Sequence, residues 1–283
     1  MKRVLVTGVR GKTGVPLAEL LVARGGVEVL GGSSTPDTVA LDGVHPVRFD
    51  WDDPAGRPTD GVDAVYLVRP DRPDAPELIG DLLEGLPLDT HVVLLSERDA
   101  DQVGPDGWAL RAERAVRGSG RSWTILRPSW FMQVFTDPRF YRDLVADAGE
   151  LPFPSGGSSI AWIDARDIAA VAARALLDDG HAGRVHELSG PESLTLPRTA
   201  ELLGRAVGHP VVHRELTIDD AVAGQDGFDR ELSVLTFERV RDGVFAGVTD
   251  VVERVTGRAP QTLEAFLDDA STHSSGPLRG EPH

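Results

Sequence analysis

The sequence predicts an α/β fold: a doubly wound parallel sheet followed by a smaller, mostly helical C-terminal lobe. Three observations carry that prediction. Short, near-continuous apolar runs recur through residues 1–130, separated by stretches with helical periodicity. Strands read this way when helices cover both faces of their sheet. A glycine-rich loop joins the first run directly to the first helix, and beyond residue 128 the texture turns aromatic and then largely helical.

Residues 4–7 (Val-Leu-Val-Thr) form the first strand. Pro16 suits a first helical turn, where its missing N–H costs nothing; Leu17, Leu20 and Leu21 share a face, and Gly25 with Gly26 ends the helix. Residues 27–30 and 46–49 give the second and third strands, 64–68 the fourth and 91–95 the fifth. A helix containing residues 111–116 precedes a sixth strand at 123–126. Residues 129–135 are aromatic-rich, and 151–159 read as a Pro/Gly/Ser loop. A helix over 164–177 sets Ile168, Val171, Ala172 and Ala175 along one side, and 185–188 returns as a strand. Residues 192–270 are expected to be mostly helical, with an extended piece at 209–215. The expected division is a sheet domain from 1–128 and 158–191, a second lobe from 129–157 and 192–270, and a disordered polar tail at 271–283.

Composition narrows the function. With 45 acidic against 29 basic residues the chain carries a formal charge of −16, which repels phosphate backbones and argues against nucleic acid as a partner. The absence of cysteine excludes disulfides, thiolate metal sites and cysteine nucleophiles. The apolar run at residues 4–6 is too short for a signal-peptide core or a membrane span, so a soluble, cytoplasmic protein is expected. Lysine stands only at Lys2 and Lys12, so no lysine beyond residue 12 is available to a catalytic site.

Thr7-Gly8-Val9-Arg10-Gly11-Lys12-Thr13-Gly14 spaces its glycines three apart between a strand and a helix. A dinucleotide site needs a tight turn at Gly8, close backbone approach to a pyrophosphate at Gly11, and helix–strand packing at Gly14. The simpler reading is a structural turn. The second strand ends Leu30-Gly31-Gly32-Ser33-Ser34, with no carboxylate to accept from a ribose 2′-OH. Ser33 and Ser34 instead suit a 2′-phosphate, beside the charges of Arg10 and Lys12, or merely open a solvated turn before Pro36. NADP(H) is therefore expected over NAD(H). Asp50 accepts from an adenine amino group or is an exposed loop acid.

Taken together, Thr7 to Gly14, Gly61-Val62-Asp63-Ala64-Val65-Tyr66 and Thr124-Ile125-Leu126-Arg127-Pro128 resemble the NmrA-like, atypical short-chain dehydrogenase/reductases. Asp164-Ala165-Arg166-Asp167-Ile168-Ala169, His186-Glu187-Leu188-Ser189-Gly190-Pro191 and Thr256-Gly257-Arg258-Ala259-Pro260-Gln261-Thr262-Leu263 extend the resemblance over about residues 1–270. It implies a Rossmann domain that binds NADP(H) and a C-terminal substrate lobe. It also implies that the nicotinamide lies against Val68, Arg69 and Pro70, then Leu95 and Ser96, then Pro128 with Ser129, Trp130 and Phe131. The main branch of these reductases uses a Tyr-x-x-x-Lys pair, but Tyr66 and Tyr141 are followed four residues on by Pro70 and Val145. The helix where the pair belongs reads Gly107-Trp108-Ala109-Leu110-Arg111-Ala112.

Ser96, at a strand end, is a candidate hydrogen-bond partner for a substrate oxygen or a simple cap, and Tyr141 is a candidate phenol donor or a helix residue. Trp130, Phe131, Met132, Phe135, Phe153 and Trp162 cluster in a chain only 6% aromatic, which favours a flat apolar substrate pocket in which Ser129 and Gln133 supply polar contacts. His209 and His213 lie on extended sequence and suggest no metal site, and no Gly-x-Ser-x-Gly elbow marks a serine hydrolase. The expectation is an NADPH-dependent reductase of a polycyclic aromatic carbonyl or quinone, monomeric or homodimeric. The resemblance adds a ketoreductase of bacterial secondary metabolism, antibiotic biosynthesis included. Protonation would come from a hydroxyl of the substrate itself. The competing expectation is an NADP(H)-sensing regulator without turnover, and a dehydratase or isomerase is a third.

Overall fold

The computed structural model describes residues 1–104 and 106–273, which fall into two compact units. The first unit takes Met1–Pro128, Ala165–Leu188 and Val251–Gly257; the second takes Ser129–Asp164, Ser189–Asp250 and the chain from Arg258 onward.

In chain order the first unit begins β1 (Lys2–Thr7), α1 (Gly14–Arg24), β2 (Val27–Ser33), β3 (Val44–Arg48) and β4 (Ala64–Val68). It continues α2 (Ala75–Gly85), β5 (His91–Leu95), α3 (Trp108–Gly118) and β6 (Trp123–Pro128). The second unit then supplies β7 (Glu150–Phe153) and β8 (Ser159–Ile160), and the first resumes with α4 (Ala165–Leu177) and β9 (Arg184–Leu188). The later elements are β10 (Leu194–Thr195), α5 (Leu196–Val207), β11 (Val212–Glu215), α6 (Ile218–Ala221), α7 (Gly227–Arg241), α8 (Val251–Thr256) and α9 (Leu263–His273), of which α8 belongs to the first unit.

The seven strands of the first unit form one parallel sheet in the order β3-β2-β1-β4-β5-β6-β9, the doubly wound architecture expected from the sequence. Side chains alternate across it. Leu5, Val65, Leu67, Val92, Leu94 and Ile125 pack with Ile79, Leu82, Leu83, Ala112 and Val116 of α2 and α3. The intervening Val4, Val6, Tyr66 and Val93 are fully buried on the other side, where α4 lies along α1 and across β4 to β6. Strand order reverses between β1 and β4, so their carboxyl ends form the crevice in which such sheets take ligands.

The second unit sets its helices beside two small two-stranded sheets. β8 pairs antiparallel with β10, and β7 pairs parallel with β11, around a core that includes Phe135, Phe153, Trp162, Leu203 and Phe266. Of the expected loop at 151–159, residues 154–158 do form a loop, while 151–153 end β7 and 159 opens β8. Residues 158–164 and 189–191 cluster with this unit, because Ile160 pairs with Leu194 and Ile163 bridges to Phe131. Gly190 is held there too: a Cβ on it would sit 1.9 Å from the Trp162 carbonyl oxygen. Smaller corrections concern the third strand, which runs Val44–Arg48, and Leu20, which is exposed because α1 buries only the stripe of Leu17, Ala18 and Leu21. Residues 271–273 of the expected tail finish α9, and 274–283 lie outside the described residues. Among the described residues no helix is long and apolar enough to cross a membrane.

Candidate cofactor and substrate site

The glycine loop leaves the carboxyl end of β1 through Gly8, whose φ of +65° is the left-handed conformation that glycine alone adopts readily. The Gly11 N–H then donates to the Gly8 carbonyl at 2.8 Å and closes the turn. Gly14 starts α1 so close to this turn that a Cβ would lie 2.3 Å from Gly8 O and 2.8 Å from Val9 Cα. The first turn of α1 carries no acidic residue, so nothing opposes an anion at its positive end. Thr7 Oγ1 donates to the Tyr66 carbonyl at 3.1 Å and accepts from the Val68 N–H at 2.8 Å, which ties the ends of β1 and β4 together. Tyr66 Oη donates to Thr13 Oγ1 at 3.0 Å, and burial holds this phenol above the normal range. Tyr66 is thus a fixed part of the loop's floor.

At the end of β2, Ser33 is buried and its Oγ accepts from the Thr35 N–H at 3.1 Å, while Ser34 is exposed. Arg10 reaches from the glycine loop to this turn and donates to Thr38 Oγ1 at 2.7 Å. Sequence reasoning named Arg10, Ser33 and Ser34 but missed Thr38, because a threonine in a polar turn carries no pattern. Asp50 is half-buried; its Oδ1 accepts from the Asp52 N–H at 3.0 Å, and Arg48 lies 3.9 Å from Oδ2. The glycine cradle and the acid-free helix start fit a dinucleotide diphosphate, and the Arg10-to-Thr38 contact sets a cation at the turn that follows β2.

At the ends of β4 to β6, Arg69 donates to Glu97 Oε2 at 2.6 Å and stacks 4.1 Å over the Trp108 ring. Ser96 Oγ donates to Glu113 Oε1 at 2.8 Å. A serine has one hydroxyl proton, so Ser96 has none to give a substrate oxygen while this bond holds. Glu113 is fully buried and also accepts from Arg127 Nε and Nη2, both at 2.8 Å, and from Arg117 at 3.1 Å. Burial alone would lower the Arg127 pKa, but Glu113, Glu187 and Asp101 raise it above its usual range. This buried network was invisible in the sequence, where Glu113 sits among the arginines of a charged helix, Arg111, Arg114 and Arg117.

In the second unit the aromatic residues divide. Phe153 is 0% and Trp162 1% exposed, and Trp162 Nε1 donates to Thr199 at 3.1 Å. Both are core and offer a ligand no surface, which corrects their assignment to substrate contact. Ser129 is buried as well, with Oγ 3.4 Å from the Phe245 carbonyl. Trp130, Phe131, Gln133 and Tyr141 keep part of their surface. Trp130 packs edge-on to Phe153 at 5.1 Å, and Gln133 Nε2 donates to Asp164 at 2.9 Å. Tyr141 lies 5.8 Å from the Phe153 ring, and burial pushes its pKa well above the usual phenol value.

No family model matches the chain. It is 33% identical to a (4-alkanoyl-5-oxo-2,5-dihydrofuran-3-yl)methyl phosphate reductase of Streptomyces griseus, over 96% of this chain and 98% of that protein. It is 31% identical to an NAD(P)H azoreductase of Xenophilus azovorans, over 73% of this chain and 74% of that one. Its fold is shared by the NADPH-dependent quinone oxidoreductase of Escherichia coli solved with NADPH, at a TM-score of 0.79 and 20% identity, covering 94% of this chain and 99% of that one. With a third of its residues shared across nearly the whole length of a named reductase, the chain belongs to the NmrA-like, atypical short-chain dehydrogenase/reductase family.

Proposed function

We propose that this protein is an NADPH-dependent reductase of a flat, apolar carbonyl or quinone. The observation that carries the reading is the glycine cradle at the β1–β4 crevice, with Arg10 donating to Thr38 beside Ser33 and Ser34. Residues 7–14 would hold the diphosphate. Arg10, Ser33 and Ser34 would hold the 2′-phosphate and Asp50 the adenine, while Val68, Arg69, Pro70, Ser96 and Pro128 would line the nicotinamide. When bound, NADPH supplies the hydride. Trp130, Phe131 and Gln133 are the surfaces offered to the substrate, with Tyr141 as a hydrogen-bond donor.

The proton is the harder half. Ser96 is committed to Glu113, and Tyr141 is made less acidic by burial, so neither side chain is an activated acid. A substrate hydroxyl beside the carbonyl would stabilise the nascent alkoxide and exchange its proton with water. The same absence of an activated acid favours, as a second reading, an NADP(H) sensor without turnover.

Tryptophan-fluorescence titration tests the cofactor. NADPH is expected to bind more tightly than NADH, and Arg10→Ala should shrink that preference about 10- to 100-fold, the worth of one charge-assisted hydrogen bond. Equal affinity of wild type for both would remove the 2′-phosphate assignment. Oxidation of NADPH by quinones and hydroxylated aromatic ketones tests the reaction; tight NADPH binding with no turnover across that panel would select the sensor.

A further inference from the structure

The amino ends of the strands, about 16 Å back along β5 from Ser96, carry a second cluster of reactive side chains. His91 opens β5, and Ser122 immediately precedes β6. The parallel register that sets Val92 beside Trp123 brings the two together. His91 Nδ1 lies 2.8 Å from Ser122 Oγ, and His91 Nε2 lies 3.1 Å from Thr124 Oγ1. Thr124 donates its single hydroxyl proton to the His181 carbonyl at 2.8 Å. It must therefore accept from His91, which fixes the imidazole proton on Nε2. Nδ1 is left to accept, and the Ser122 hydroxyl donates to it. A hydroxyl aimed at an imidazole whose far nitrogen is held by a third group is the arrangement that activates a serine nucleophile.

Exposure runs the right way along this chain of bonds: Thr124 is fully buried, His91 is half-buried and Ser122 is exposed. His91 and Ser122 border an open cavity of about 380 Å³ that also takes in Lys2, Asp89, Asp179 and His181. Lys2 Nζ donates to the Leu176 carbonyl at 2.5 Å, which leaves two of its three protons for a developing oxyanion. Asp89 and Asp179 are exposed and make no ion pair among the described residues, so the cavity mouth repels anionic ligands.

We propose that Ser122, with His91 as its base and Thr124 holding the imidazole, is a second reactive site that takes acyl groups from small neutral or cationic esters. Ser122 Oγ bonds to the ester carbonyl carbon as its proton passes to His91 Nδ1. The bond from that carbon to the alkoxy oxygen breaks, and the leaving oxygen takes the proton from His91. Water then attacks the acyl-serine, gives one proton to His91, and releases the carboxylic acid while Ser122 recovers its hydrogen. Burial, with the nearby Lys2 and His181, pushes the His91 pKa down to about 4, so the imidazole is a neutral acceptor throughout the neutral range. That low basicity also makes proton removal slow, and a weak esterase is expected.

The test is to treat the full chain with p-nitrophenyl acetate, and separately with a fluorophosphonate, then locate the adduct by peptide mass spectrometry. The label is expected on Ser122, at least tenfold slower in His91→Gln, and absent from that peptide in Ser122→Ala. Acetylcholine, a cationic ester, should be hydrolysed at least tenfold faster than the anionic monoethyl succinate. Circular dichroism confirms that each variant is folded, and Ser122→Ala alters only an exposed side chain. Labelling confined to other residues would overturn the proposal. So would a Ser122 adduct that forms as fast in urea-unfolded chain, or as fast in folded His91→Gln.

Discussion

Replacing Arg127 by methionine would take from the Glu113 carboxylate two of its four donors, leaving Ser96 and Arg117. The side chains of the pair are 6% and 0% exposed, whereas that of Arg117 is 40% exposed and a poor substitute. Deleting one partner of a buried pair costs about 3–5 kcal/mol, because the other charge stays dehydrated. Arg127 also meets Asp101 and Glu187, but these are 55% and 28% exposed and can hydrate, so they add at most about 1 kcal/mol. A loss of about 3–5 kcal/mol is a large share of the roughly 5–15 kcal/mol that holds a native fold together. It should lower the thermal midpoint by roughly 6–20 °C. The double variant Arg127→Met/Glu113→Leu removes both charges and should return to within about 1 kcal/mol of wild type. Urea unfolding followed by circular dichroism measures all three proteins. The reasoning fails if the single variant loses less than about 1 kcal/mol, or if the double variant is no more stable than the single one.

Gly14→Ala forces a Cβ against backbone that cannot yield, so it should abolish NADPH binding and destabilise by about 1–3 kcal/mol; Gly80→Ala, with open space around it in α2, should stabilise by about 0.5–1 kcal/mol in the same urea assay. His91 and His186 are both pushed down to about 4, chiefly by burial, against about 6.5 in an unfolded chain. The unfolded state therefore binds protons first, and stability that is complete above about pH 6.5 should be lost as pH falls toward 4, with a shallower decline in His186→Gln. Trp162→Ala should cost about 3–5 kcal/mol as a core deletion, and Trp130→Ala, which is only half-buried, clearly less; equal losses would mean that both are core.

The sheet was legible because its strands are buried on both faces. Runs such as 64–68 and 91–95 have no polar alternative, and Gly25–Gly26 punctuates α1 unmistakably. The second unit was less so, since β8 and β10 are two residues long and two residues have no periodicity. The glycine loop could be read residue by residue because each glycine meets a steric demand that the sequence states openly. Glu113, Thr38 and the His91–Ser122–Thr124 chain could not. Their roles depend on partners 14 to 33 residues away, brought into reach by strand register and helix phase. The aromatic cluster misled in a physical way: one composition serves core and pocket alike, and only exposure separates Trp162 from Trp130.

Each unit is assembled from three separated stretches of chain, and this has a consequence during synthesis. When Pro128 leaves the ribosome, six strands of the large sheet exist, but α4 and β9 have not been made. The side of the sheet bearing Val4, Val6, Tyr66 and Val93 then has α1 alone to cover it. At roughly 5–20 residues per second the missing helix arrives some seconds later, and until then the nascent sheet is a sticky intermediate. A fragment cut at Pro128, the obvious minimal nucleotide-binding piece, would be caught permanently at that stage and should precipitate, whereas excision of the polar residues after 273 should leave expression unharmed.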